Sequence, residues 1–128
     1  MPGRLLILMP AALALSLAGG CMGTAQTLPY ALEVVWPAAM AETVVWRPDS
    51  IDEKAHVIRA RRANLAGRVL EFELQLNDYW DVWTRRMITL VTVRIEEQQP
   101  KRVRHPDVER ELIMRIRNDL AYVPEAQP

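Results

Sequence analysis

The chain has 128 residues, half of them hydrophobic and a quarter charged, with 16 basic against 16 acidic side chains and a single cysteine. Balanced charge argues against a nucleic-acid binder driven by counterion release, which needs a basic excess, and one cysteine rules out an intramolecular disulfide. A chain of this length holds one domain, large enough to bury a core without metals or disulfides.

The first 20 residues have the three parts of a secretory signal. Arg4 supplies the charged start, Leu5–Ala18 is an apolar run interrupted by Pro10 and Ser16, and Gly19-Gly20 are the small residues before Cys21. The run is shorter than the ~20 residues that span a bilayer stably, so a cleaved signal is expected over residues 1–20 rather than a retained anchor. Its removal takes Arg4 away and leaves 108 of the 128 residues, with 15 basic and 16 acidic side chains. Two cleavage sites compete. Leu17-Ala18-Gly19-Gly20-Cys21 resembles a bacterial lipobox, in which small residues before a cysteine expose the bond to cleavage and the thiol takes a diacylglyceryl group. The leucine stands one residue further from Cys21 than in such boxes, with Ala18 in its place. Alternatively, Gly23 and Ala25 supply the small residues for a cut that leaves Gln26 as the first residue. The first reading lipidates Cys21 and accounts for the lone cysteine; the second gives a soluble periplasmic protein.

Residues 21–29 are polar and small, and read as a tether ahead of one domain over 30–123. Tyr30–Trp36 and Glu42–Trp46 each end in Val-Val-Trp close to a proline, and read as two short strands stopped by Pro37 and Pro48. Pro37–Ala41 reads as the turn between them. Arg47–Gly67 reads as a helix: Ser50 and Glu53 match a capping box, Asp52 and Glu53 suit the positive end of the dipole and Arg59, Arg61 and Arg62 the other. Ile51, Ala55, Ile58 and Leu65 make its apolar stripe, Arg62 is expected to pair with a carboxylate at the core's edge, and Gly67 makes the left-handed C-cap. Arg68–Gln75 alternates as a half-buried strand with Leu70, Phe72, Leu74 and Leu76 inward. Asn77–Asp81 reads as a turn-prone loop and Trp83–Ile95 as the return strand of an antiparallel hairpin, with Met87, Thr89, Val91, Val93 and Ile95 on one face. Ile88 and Leu90 on its other face suggest partial cover there too. After a polar linker at Glu96–His105, Pro106 opens a second helix with Val108, Leu112, Ile116, Leu120 and Val123 as its buried stripe. Pro124 stops it, and residues 124–128 should be a loose tail. The expected fold is α+β, a small antiparallel sheet with two helices on one face, in the order strands, helix, strand, strand, helix.

Little of this carries catalytic chemistry. His56 and His105 have no Asp, Ser or Cys at a spacing that suggests a triad, and no HExxH, CxxC or glycine-rich phosphate loop is present. No cofactor or metal is expected. Glu71 and Glu73 share one strand face about 6–7 Å apart, a spacing that acid–base pairs use, but a solvated face uses it more often. Asn77, Asp78 and Asp81 lack the spacing of a calcium loop. The stretch Asn77-Asp78-Tyr79-Trp80-Asp81-Val82-Trp83 has more aromatics than a turn needs. Tyr79, Trp80 and Trp83 are therefore the first candidate contact surface for a sugar ring, a peptide or a protein, unless the two indoles fold back over the core. Arg59, Arg61 and Arg68, expected on one side of the first helix, are the second, suited to anionic headgroups or a partner's carboxylates.

The functional expectation is a non-enzymatic binding or scaffold module on the periplasmic side of a bacterial envelope, held to the outer membrane through Cys21. Its partner would be an envelope protein or a cell-wall component, not a nucleic acid. A free periplasmic glycan- or peptide-binding domain is the alternative, and a small periplasmic enzyme comes third.

Overall fold

A computed structural model describes residues 23–64 and 66–128. The signal segment and Cys21 lie outside the described residues, as does Leu65. The rest is a six-stranded antiparallel sheet with two helices. The elements are β1 (Thr24–Leu28), α1 (Leu32–Thr43), a 3-10 turn (Val44–Trp46), β2 (Ser50–Asp52), β3 (Val57–Ala63), β4 (Val69–Asp81), β5 (Arg86–Gln99), β6 (Val103–Arg104) and α2 (Pro106–Asp119). The sheet order is β1-β5-β4-β3-β2, with β6 also on β5. Among the described residues no helix is long and apolar enough to cross a membrane.

Much of the second half of the chain follows its sequence pattern, although the linker expected at Glu96–His105 holds the end of β5 and all of β6, because cross-strand pairing carries the strand past Ile95. On β4, Phe72, Leu74 and Leu76 are buried and Glu71, Glu73 and Gln75 are half-buried on the opposite face. Leu74 stands opposite Val93 and Phe72 opposite Ile95, so β5 adds Val91, Val93 and Ile95 to the same inner face, while Met87 at its start is exposed. Ile88 and Leu90, on the outer face, are buried and half-buried respectively. α2 begins with Pro106 in its first turn, has Asp107 and Glu109 at its positive end, and lays Leu112, Ile113, Ile116 and Leu120 into the core. Val108, expected inside, is exposed and Val123 is only partly buried.

The first half departs from expectation. The expected strands Tyr30–Trp36 and Glu42–Trp46 are α1 and the 3-10 turn, and among the described residues the only strand ahead of α1 is β1, which lies within the stretch 21–29 expected as a tether and pairs with β5. β-branched residues are tolerated in a helix when its buried face is strong. Val35, Trp36, Ala39 and Thr43 are that face, at helical spacing. Pro37 sits inside α1, where it removes one N–H from the ladder, but its side is exposed. The 3-10 turn ends at Arg47 in the left-handed region, φ 47°, and Pro48 follows.

The expected helix over Arg47–Gly67 is a β-hairpin. Asp52 Oδ1 accepts from the N–H groups of Lys54 and Ala55, at 3.1 and 3.0 Å, which makes a turn of what resembled a helix cap. Beyond it Ile58 and Ala60 are buried and Arg59 and Arg61 exposed, a period of two rather than 3.6. Gly67 does take a positive φ of 79°, but in the loop between β3 and β4. Arg62 meets the carboxylate of Asp49 at 3.2 Å, as expected of it, though from a strand.

Two further details bear on the ends of the domain. The tail expected to be loose is tied down: Ala126 N–H donates to Pro29 O at 2.9 Å, and Glu125 pairs with Arg86 at 2.8 Å. At the other end, Gly23 (φ 148°) runs so close to β5 that a Cβ there would lie 2.3 Å from Val93 O, so only glycine fits where the tether joins the sheet. Just past it, the outer edge of β5 is uncovered between β1 and β6. Glu109 fills this gap: its Oε2 accepts the Ile95 N–H at 2.8 Å, while His105 N–H donates to Ile95 O at 2.9 Å.

Candidate functional site

β4 and β5 outrun their neighbours. β3 pairs with β4 no further than Gln75, and β1 leaves β5 at Thr89. The pairs Tyr79–Ile88, Trp80–Met87 and Asp81–Arg86 therefore form a two-stranded ribbon that projects from the sheet. The loop expected at Asn77–Asp81 is strand, and the turn lies at 82–85 instead. Once cross-strand pairing is available, continued alternation outweighs the turn preference of Asn and Asp.

The turn is built by its own polar groups. Asp81 accepts from Trp83 N–H at 3.0 Å and from Thr84 Oγ1 at 2.7 Å, and its backbone carbonyl accepts from Arg85 N–H at 2.7 Å. Arg85 takes the left-handed conformation, φ 55°. The Thr84 hydroxyl, with the backbone N–H groups and Arg86 adding to it, holds the Asp81 carboxyl below its ordinary pKa. Arg86 braces the ribbon beside the turn through Thr84 Oγ1, Glu125 and Ala126 O.

The side chains this turn displays are apolar. Trp83 is 92% exposed, and Tyr79, Trp80, Val82 and Met87 are exposed beside it. The indoles do not fold back over the core; the core aromatics are Tyr30, Trp36 and Phe72, with Trp46 packed against them. The first candidate surface is thus gathered at the end of the ribbon, with Trp80 and Met87 on one face, Tyr79 on the other and Trp83 at the turn.

The second is not. Arg59 and Arg61 lie on β3 and Arg68 in the β3–β4 loop, because the helix expected to group them does not form. Arg59 pairs with Glu73 at 2.8 Å and Arg68 with Glu97 at 3.2 Å. Arg59 stands opposite Glu73, six residues from Tyr79 and thus roughly 20 Å from it, so the two candidate surfaces are separate. Glu71 and Glu73 are committed to ion pairs, Glu71 with Arg94 at 3.6 Å, which suits a charged outer face better than a catalytic pair. His56 packs edge-on against Trp36 with ring centroids 5.0 Å apart, and His105 precedes α2. Among the described residues no group of acids, histidines or cysteines gathers to hold a metal.

Sequence reasoning missed a groove of about 380 Å³ between the end of α1 and the first half of α2. Val45, Trp46, Val108 and Leu112 make its walls and floor, with Glu42, Glu111 and Arg115 around it. Trp46 is fixed there by stacking on Phe72, 4.9 Å between centroids and 18° between planes. A shared hydrogen bond with Asp119, helped by burial, raises the pKa of Glu42. The groove exists only because Val44–Trp46 follows a helix, so it could not be seen while that segment was read as strand. No known protein family, curated protein or solved structure matches this chain.

Proposed function

We propose that the protein is an exported, lipid-anchored component of a bacterial envelope that works by binding, with the Tyr79–Trp83 tip as its docking element. Trp83 carries this reading. Its indole stands almost wholly in solvent on a turn whose hydrogen bonds come from Asp81, Thr84 and Arg85. Folding therefore does not need it there, while aromatic anchors on rigid supports dominate binding energy at interfaces. A sugar platform flanked by carboxylates is less favoured, since Asp81 is already used by the turn. The anchor rests on Cys21 and its flanking small residues. β1 runs from Thr24, beside Val93, to Leu28, beside Thr89, so the chain enters the domain heading toward the tip. Val93 and Arg86 are seven residues apart on β5, roughly 24 Å. A lipid on Cys21 would leave the tip at the far end of the sheet, in reach of an envelope protein or the cell wall.

Two measurements test this. Intact mass of the membrane-fraction protein should show a chain beginning at Cys21 with a diacylglyceryl adduct; a lipid-free chain beginning at Gln26 would remove the anchor. A photo-cross-linking residue at position 83 should give a discrete adduct in cells. The double substitution Tyr79→Ala/Trp80→Ala should abolish it at a stability cost below about 1 kcal/mol. An adduct unchanged in that variant would remove Tyr79 and Trp80 from the contact, and the absence of any adduct at position 83 would move the contact surface away from the tip, toward Arg59, Arg61 and Arg68.

A further inference from the structure

We infer that the protein assembles head to tail, the Trp83 tip of one copy entering the groove between α1 and α2 of the next. This rests on the reading of the tip as a docking element and names its partner as a second copy of the chain. Among the described residues exposed apolar side chains gather most densely at the tip and at the groove with its lip, where Val45 is 82% exposed and Val44 and Val108 are exposed as well; Ile51, Val103, Met114 and Tyr122 are exposed singly elsewhere. An apolar projection and a complementary pocket elsewhere on one molecule make a heterologous contact, which propagates rather than closing as a two-fold dimer.

Shape fits this pairing. The tip is convex and one ribbon wide, and the groove's volume of about 380 Å³ falls within the range of pockets that hold small organic groups, ~300–1,000 Å³. The contact cannot be made within one copy. Trp46, on the groove floor, stacks on Phe72, and Phe72 lies nine residues along β4 from Asp81, roughly 30 Å.

Charge fits as well. Around the groove stand the carboxylates of Glu42 and Glu111, with Asp119 hydrogen-bonded to Glu42, against the single cation Arg115. Arg115 is paired with Glu111 at 3.0 Å, which leaves two carboxyls facing each other. At the tip, Asp81 is committed to its turn and Arg86 to Glu125. The guanidinium of Arg85, two residues from Trp83, has no partner among the described residues. Seating Trp83 between Val45 and Val108 brings this cation toward the Glu42 and Asp119 carboxyls, where it forms an ion pair.

The test is sedimentation of the exported chain purified from membranes in detergent. The wild type should form a series of species that lengthens with concentration. Trp83→Ala and Val45→Glu change exposed positions, so both should keep the wild-type circular dichroism and sediment as monomers. Mixed in equal amounts they should form dimers and nothing larger, because one supplies a groove and the other a tip. Arg85→Glu should weaken assembly by tenfold or more. A wild type that stays monomeric at concentrations on the order of 100 μM, a Val45→Glu variant that still assembles, or a mixture that stays monomeric overturns the proposal. If the wild type is monomeric while position 83 cross-links to a different envelope component, self-contact alone falls; loss of both removes the tip as a docking element.

Discussion

Replacing Phe72 with Ala should lower stability by about 3–5 kcal/mol. The ring is 2% exposed, stacks on Trp46 and stands opposite Ala60 on β3 and Ile95 on β5. Removing it loses that burial and leaves a cavity, and the cost of a cavity grows with how little the surroundings can collapse. Here they can collapse little. Trp46 belongs to a 3-10 turn stopped by a left-handed residue and a proline, and the other neighbours are held in strand ladders. The stacked pair contributes about 0.5–1.5 kcal/mol beyond its area. Urea denaturation should show a lower midpoint with an unchanged slope. An unchanged midpoint would mean that the β4 face is reversed. Because Trp46 rests on this ring, the same substitution should also weaken head-to-tail assembly, whereas Leu74→Ala, equally buried on the next inward position of β4, should cost stability with less effect on assembly.

What the sequence disclosed depended on how many structures each segment's pattern could serve. Leu70, Phe72, Leu74 and Leu76 alternate with polar residues over a full strand, and no helix buries that set on one side. Pro106 followed by acids and a 3.6-residue apolar stripe is equally one-sided, and α2 begins where that pattern places it. The first half is ambiguous at each step. Val34-Val35-Trp36-Pro37 has the composition of a strand and the stop of one, yet Val35, Trp36, Ala39 and Thr43 also fall on one helical face, and burial of that face decides. Ser50, Asp52 and Glu53 are ambiguous for a chemical reason. A side-chain oxygen accepting from N–H groups two or three residues on is the same interaction in a helix cap and in a turn. The alternation of Ile58 and Ala60 against Arg59 and Arg61 was the signal for a strand, and it was short enough to be outweighed.

The candidate sites divide in the same way. An excess of aromatics at 79–83 needs no correct boundary to be noticed, so the tip was legible even though Asn77–Asp81 is strand. The arginine cluster depends on a helix that does not form; Arg59 and Arg61 share a strand face instead, and Arg59 and Arg68 are taken up by carboxylates. The groove required two elements to be right at once. Glu109 is half legible: as an acid in the first turn it suits the helix dipole, and Glu109, Leu112, Ile113, Ile116 and Leu120 are themselves at helical spacing, which puts the carboxylate on the buried face.

Glu109→Ala should therefore be among the most damaging single substitutions, at about 3–5 kcal/mol. The side chain is fully buried, 0% exposed, and it satisfies three donors. Thr24 Oγ1 lies at 2.7 Å from Oε1, Ile95 N–H at 2.8 Å from Oε2, and Arg104 Nη2 at 2.7 Å from Oε1. Alanine would leave the Ile95 N–H without its acceptor at a site no strand covers, and would take the carboxylate from Arg104. It would also unfasten β1 from α2 at the point where the tether joins. Glu109→Gln keeps the size and one acceptor oxygen, and should cost less, about 1–3 kcal/mol. Burial is the largest single influence on this carboxyl and opposes its charge. The hydrogen bonds from Arg104, Ile95 and Thr24, with the Arg104 charge, together outweigh it and hold the pKa below the ordinary value. A lowered folded-state pKa gives stability that is present in full above the unfolded carboxyl's value of about 4.3 and is lost as pH falls through the lower, folded one. The gap in stability between wild type and Glu109→Ala should accordingly be widest near neutral pH and narrow below about pH 4. A gap that stays constant into acid would show that Glu109 acts through packing rather than through its charge.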